Sequence, residues 1–224
     1  MSLKNFLAIC CTVLSIFHLN ARSIKPFSIM LDPAGDAQNT GRIVGDSFER
    51  GITLQFAEAL KHELEATYQS IRVILSRVPG ETIEPLQNAN FANRLNVDLY
   101  LSIHFYEDVK EHPQMYLYYF IYNPVTDRWN TTRRLSFYPY DQAHLISIKT
   151  TQSWAQTLFN NLNQQKYKKL FTMHEIAGLP FKPLIGVRAP ALALEASLKS
   201  KRDWSIYLEP IVASLGPLLQ KGSA

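Results

Sequence analysis

What most constrains this chain is the order of its apolar segments: short runs of strand type alternate with stretches whose apolar residues recur at helical spacing. FSIMLDP, Phe27 to Pro33, is broken by its proline and followed by the polar loop AGDAQNTGRIVGD. Ile52, Phe56, Ala59, Leu60 and Leu64 then mark one face of an amphipathic helix that runs to about Thr67. IRVILSR, Ile71 to Arg77, is a second strand closed by Pro79 and Gly80; Pro85 to Leu95 suits a second helix, and DLYLSIH, Asp98 to His104, a third strand. Strand, helix, strand, helix, strand with short connections predicts a parallel sheet covered on both faces. The expected fold class is therefore α/β, a single domain built on a mostly parallel twisted sheet with helices on both faces.

The middle of the chain has another character. In MYLYYFIY, Met115 to Tyr122, Tyr116, Tyr118, Phe120 and Tyr122 alternate onto one face, as a strand requires. The polar, aromatic segment from Thr126 to Asp141 has no clear period and reads either as a surface loop beside an ordinary strand or as a lid or aromatic platform for a sugar ring. A helix from Ile148 to Leu162 follows, then GLPFKPLIG, the strand ALALE ending at Glu195, and a last helix from Asp203 to Leu219.

The N-terminus reads as a leader. Lys4 precedes the apolar run FLAICCTVLSIF, which ends before a small Ala21, the pattern of a secretory signal peptide over residues 1–21. The run is short for a membrane span, which needs about 20 apolar residues, although an uncleaved anchor is the alternative because bulky Leu19 sits near the cleavage site. Ile9 before Cys10 and Cys11 does not suit a lipobox. Both cysteines of the chain lie in this leader, so the expected mature domain, 22–224, contains no disulfide and depends on a core. Its loss removes one charged residue, Lys4, and takes the net charge from +4 to +3. Scattered basic residues with no arginine-rich helix argue against nucleic acid as a partner.

Three residues stand out chemically. His104 closes an apolar strand, and ligands in open α/β sheets gather outside the carboxyl ends of strands; a satisfied structural histidine is the plain alternative. Glu49 lies three residues before Ile52, so it projects from the helix start on the buried side. With Asp46 it also has the spacing of a capping box, a purely structural role. Glu195 ends an otherwise apolar strand, where a carboxylate is costly unless it is salt-bridged or functional.

In order, the chain shows LDPAGD (Leu31 to Asp36), SFERGITLQFAEAL (Ser47 to Leu60), VILSR, FANRLNVDLYLSIH (Phe91 to His104) and APALALEASL (Ala189 to Leu198). This series resembles the zinc-dependent N-acetylmuramoyl-L-alanine amidases of the type 3 class. Their pattern runs DPGHGG, then E-K-D before an apolar helix, then AN followed by ADLFISIH, then PAVLVELGF. The resemblance covers nearly the whole expected mature chain and implies that Glu49 and His104 are metal ligands and Glu195 the catalytic carboxylate. It further implies zinc or another divalent metal, with a bound water whose pKa falls to about 7. The implied substrate is peptidoglycan, cleaved between N-acetylmuramic acid and L-alanine by an exported, periplasmic or extracellular enzyme, expected to be a monomer.

One departure touches the metal. Where the pattern has its first ligand histidine this chain has Gly35, and Asp36, one residue on, is the expected substitute, ahead of Asp32, which in the pattern is not a ligand. Gly51 replaces the acidic residue of E-K-D, Asn88 stands where arginine is usual, and ALEASL replaces VELGF. The spacing of His62, His112, His144 and His174 does not mark them as ligands, although His144 or His174 can reach the site in three dimensions. Three functions follow: an amidase with an altered metal site, an inactive relative that binds peptidoglycan or regulates another hydrolase as its protein partner, or a hydrolase of some other amide.

Overall fold

The computed structural model describes residues 25–84, 86–108, 112–122 and 139–222. The expected leader and most of the segment from Thr126 to Asp141 lie outside them. The chain folds around one seven-stranded mixed sheet. In chain order its strands are β1 (Phe27–Pro33), β4 (Ile71–Leu75), β5 (Leu99–Glu107), β6 (Gln114–Phe120), β7 (Thr172–Met173), β8 (Ala177–Leu179) and β9 (Ala191–Leu198), and a separate ribbon pairs β2 (Ile43–Val44) with β3 (Ser47–Phe48). Strands β4, β1, β5 and β9 lie side by side in parallel, and β6 joins β9 antiparallel and carries β7 and β8. The helices are α1 (Glu49–Thr67), α2 (Gln87–Leu95), α3 (Ile148–Leu162) and α4 (Leu208–Gly222).

Side-chain alternation sorts the central strands onto two unequal faces. Leu99, Leu101, Ile103 and Phe105 of β5 join Ile52, Phe56, Leu60 and Leu64 of α1, Leu158 of α3 and Leu215 of α4 in the larger core. On the opposite face Met30, Tyr100 and Ala193 pack with Ala89 and Ala92 of α2 in a smaller one. Strand β1, between two parallel neighbours, is buried along all of its seven residues. That explains its near-continuous apolar sequence and makes Asp32 within it an exception.

Several boundaries differ from the sequence expectations. Strand β5 continues past His104 to Glu107, and β9 past Glu195 to Leu198, because the ladder between them runs on to Glu107↔Leu198 and satisfies their backbone groups. His104 and Glu195 therefore lie within strands rather than ending them. Helix α1 begins at Glu49 with Phe48 as its N-cap and no side-chain cap. Asp46 is exposed and pairs with Lys201 at 2.9 Å, so the capping box does not form. The last helix starts at Leu208, preceded by a 3-10 turn from Asp203 to Tyr207.

Candidate functional site

The site lies on the smaller-core face of the sheet. His104 of β5 and Glu195 of β9 are directly paired in the ladder, and Tyr116 of β6 pairs with Glu195 from the other side. Alternation then puts Tyr118 on the same face, where its hydroxyl donates to Glu195 Oε2 at 2.9 Å. Burial, with the Glu195 carboxylate beside it, pushes the Tyr118 phenol well above its ordinary range. The other oxygen, Glu195 Oε1, lies 2.6 Å from Arg42 Nη1, and the arginine side chain is 49% exposed against 12% for the glutamate.

Glu49 reaches this face from the first turn of α1. Beyond Pro33, strand β1 no longer covers the edge of β5, and Glu49 Oε1 takes its place by accepting the Phe105 backbone N–H at 3.0 Å. Its Oε2 accepts the Arg42 backbone N–H, also at 3.0 Å. Gly41 lets the loop come this close, since a Cβ there would stand 2.8 Å from Glu49 Oε2. Glu49 Oε1 also lies 3.4 Å from His104 Nδ1. Burial pushes the Glu49 carboxyl up, but His104 and the two backbone N–H groups outweigh it and hold the group below its ordinary 4.5.

Asp36 lines one cavity with His104, but its oxygens are already engaged. Its Oδ1 accepts the backbone N–H of Gln38 and Asn39, both at 2.7 Å, and its Oδ2 accepts Asn39 Nδ2 at 3.0 Å and the Ile83 N–H at 3.4 Å. The residue expected to replace the missing imidazole thus has both oxygens accepting hydrogen bonds, from its own turn and from Ile83. Among the described residues no three His, Cys, Asp or Glu side chains come together as a metal-holding group, so Asp36 does not join Glu49 and His104, and neither do His144 and His174. His174 stacks on Tyr116 at 4.3 Å, and His144 packs edge-on against Phe120. Gly35 has φ +78°, and a Cβ there would meet the Arg50 Cβ at 2.7 Å. The backbone at position 35 thus suits glycine rather than the pattern's histidine. Arg50 and buried Arg77 hold this loop through the carbonyls of Asp36, Ala37, Pro33 and Ala34.

Toward α2 the site opens into a cavity of about 510 Å³ whose wall includes His104, Asn88, Asn39 and Lys182. His104 Nε2 faces Ser102 Oγ at 3.0 Å, and Ser102 in turn donates to Asp32 Oδ2 at 3.0 Å. Zinc in catalytic sites usually has three protein ligands. The described residues bring two donors to one place, the Glu49 carboxylate and the His104 imidazole, with side chains 5% and 12% exposed. Carboxylate plus imidazole suits zinc or manganese, so the pair fits a divalent ion held by one protein donor fewer than usual.

Arg42 and Ser102 were not singled out from the sequence, and Tyr118 was read only as one of an alternating aromatic set. Ser102 carried a usable signal, since it lies two residues before His104 and so on the same face of the strand. Arg42 had none, because only the fold brings it to Glu195.

The model of the N-acetylmuramoyl-L-alanine amidase family (Amidase_3) matches residues 29–207. The N-acetylmuramoyl-L-alanine amidase CwlM of Bacillus licheniformis is 38% identical over 76 residues, which are 34% of this chain and 30% of that protein. The match thus spans under a third of that relative's length. Among solved structures, the N-acetylmuramoyl-L-alanine amidase of Clostridium difficile 630 superposes with a TM-score of 0.62 at 19% identity, over 88% of this chain and 98% of that one. The amidase Ami1 of Mycobacterium smegmatis gives 0.63 at 13% identity, over 88% and 99%. Likenesses at such identity speak for the fold, while the family match covers most of the sequence, and on it this chain belongs to the N-acetylmuramoyl-L-alanine amidase family.

Proposed function

We propose that this chain hydrolyses the amide between N-acetylmuramic acid and L-alanine in peptidoglycan, as a protein exported with loss of residues 1–21. The observation that carries this reading is the register of Glu195 with His104, on which Glu49 also converges. A divalent ion, zinc in the first instance, would be held by Glu49 and His104, and when bound it would acidify water and polarise the scissile carbonyl.

The chain's own residues supply the rest. Glu195 draws a proton from the attacking water as its oxygen bonds to the amide carbon, and returns it to the nitrogen as the C–N bond breaks. Tyr118, donating to Oε2, keeps the carboxylate in one rotamer and leaves Oε1 as the oxygen that takes the proton. Arg42, which also lies over the Tyr106 ring, competes for that oxygen, so its half-exposed side chain must swing away from Glu195 when water and substrate arrive. None of the described helices is long and apolar enough to cross a membrane, and a mature protein outside the cytoplasmic membrane would meet this substrate.

A second reading is favoured by one observation: the third metal donor is missing at Gly35. An amidase-shaped protein that binds peptidoglycan or regulates a hydrolase would tolerate that loss. Purified peptidoglycan incubated with the protein and added zinc decides between them. Release of stem peptides with new L-alanine amino ends supports the enzyme, and binding without release under zinc, manganese or magnesium supports the second reading.

A further inference from the structure

Asp32 is the charged exception inside β1, 6% exposed. A carboxylate buried in a sheet is costly unless its oxygens are bonded. Here Oδ1 accepts Ser76 Oγ at 2.8 Å and Asn88 Nδ2 at 2.7 Å, while Oδ2 accepts Ser102 Oγ at 3.0 Å.

The donors and acceptors can be assigned outward from there. A carboxylate only accepts, so the single hydroxyl hydrogen of Ser102 points at Asp32. Ser102 Oγ then offers a lone pair to His104 Nε2, 3.0 Å away, and Nε2 must carry the ring hydrogen. In the neutral ring Nδ1 is consequently bare. It faces Glu49 Oε1 at 3.4 Å, and Glu49 is pinned by the backbone N–H groups of Phe105 and Arg42 and cannot turn away. Two acceptors held face to face make a seat for a cation.

We propose that Asp32 and Ser102 are positioning residues, a relay that fixes the Nε2–H tautomer of His104 and so aims its Nδ1 lone pair at the position shared with Glu49. The relay rests on the proposed hydrolase reading only in that it prepares the cation seat which that reading uses. Outer hydrogen bonds of this kind orient ligand histidines and change metal affinity by about 10 to 100-fold.

Asp32→Asn tests the logic because it reverses the relay. Two donors, Ser76 and Asn88, face the Oδ1 position, so the amide oxygen must sit there and its NH₂ must face Ser102. The amide then donates to Ser102, the hydroxyl hydrogen turns to Nε2, and the ring carries its hydrogen on Nδ1, filling the seat. Nitrogen NMR of the histidine-labelled, metal-free full chain in alkaline buffer reads the tautomer, with the His104 signals identified by their loss in His104→Gln. The wild type is expected as Nε2–H, Asp32→Asn as Nδ1–H, and Ser102→Ala, which removes one oxygen and serves if the asparagine variant does not fold, as a mixture of the two. Titration with zinc alone should show Asp32→Asn binding at least about 10-fold more weakly than wild type, and Ser102→Ala more weakly by the smaller factor that its mixture of tautomers implies. A wild-type ring protonated on Nδ1, or variants whose tautomer and zinc binding equal the wild type's, would overturn the relay. Absence of peptide release by a wild type that shows the expected tautomer would remove the hydrolase reading and leave the relay standing.

Discussion

Glu195, His104 and Tyr118 sit on three neighbouring strands, β9, β5 and β6, and the sheet ladder fixes where each side chain emerges. The loop from residue 34 to residue 42 has no ladder. It is held by an Asp36-centred turn and by Arg50 and Arg77 on its carbonyls. The strand-held half keeps the amidase pattern at His104 and Glu195, with Glu49 meeting it from α1, while the loop-held half has glycine at the first ligand position. A ladder leaves little room for a residue to drift without losing backbone hydrogen bonds, whereas a loop can be rebuilt around a new turn. Substitutions in the strand half should therefore cost chemistry, and those in the loop half should cost stability.

The largest effect should fall on the strand half. Glu195→Ala is expected to slow peptide release by about 10² to 10⁴-fold, the usual contribution of a general acid and base, with an unchanged melting temperature within a few degrees and zinc binding retained. A variant that keeps its rate would show that the strand half does not carry the proton.

On the loop side, the sequence alone suggests that Gly35→His would restore a ligand. The positive φ and the close Arg50 Cβ predict the opposite: a loss of more than about 1 to 2 kcal/mol of stability and no gain in zinc affinity. Denaturant midpoints and zinc titration of this variant check both, and tighter zinc binding would mean that the loop half can still be completed as a metal site.

Acid should weaken both halves, by a smaller amount. For Asp36, burial raises the carboxyl's pKa, but its bonds from Asn39, Gln38 and Ile83 outweigh this and hold it below the ordinary 3.8; Glu49 is likewise held below 4.5. Carboxyls depressed on folding contribute stability that is present above their ordinary values and lost as pH falls through the lowered ones. Urea midpoints should therefore be level near neutrality and decline below about pH 4, and the decline should be shallower in Asp36→Ala. An equal decline in that variant would mean the Asp36 turn is not a source of the acid sensitivity.

The same division explains what could be read in the sequence. The helix from Ile148 to Leu162 and the strand of β1 were legible because periodicity and proline are local signals. Glu49, His104 and Glu195 were legible as an ordered series; the ladder pairs His104 with Glu195, and Glu49 Oε1 lies 3.4 Å from His104 Nδ1. The extensions of β5 and β9 were not, since pairing from Phe105↔Ala196 to Glu107↔Leu198 is a long-range choice with no trace in composition. Tyr118 and Glu195 lie 77 residues apart, beyond the reach of any local pattern. Asp36 is a different case. An aspartate followed by two small or polar residues and asparagine is a turn signature in its own right, and that local chemistry uses the carboxylate before a metal could.

The central claim is that the cation seat belongs to Glu49 and His104 and owes nothing to Asp36. Titrating zinc by calorimetry into wild type, His104→Ala and Asp36→Ala, each at a temperature where it is folded, tests it directly. One ion per chain in the wild type and in Asp36→Ala, and none in His104→Ala, is the predicted result. An Asp36→Ala protein that loses its zinc, or a His104→Ala protein that keeps it, would contradict the account.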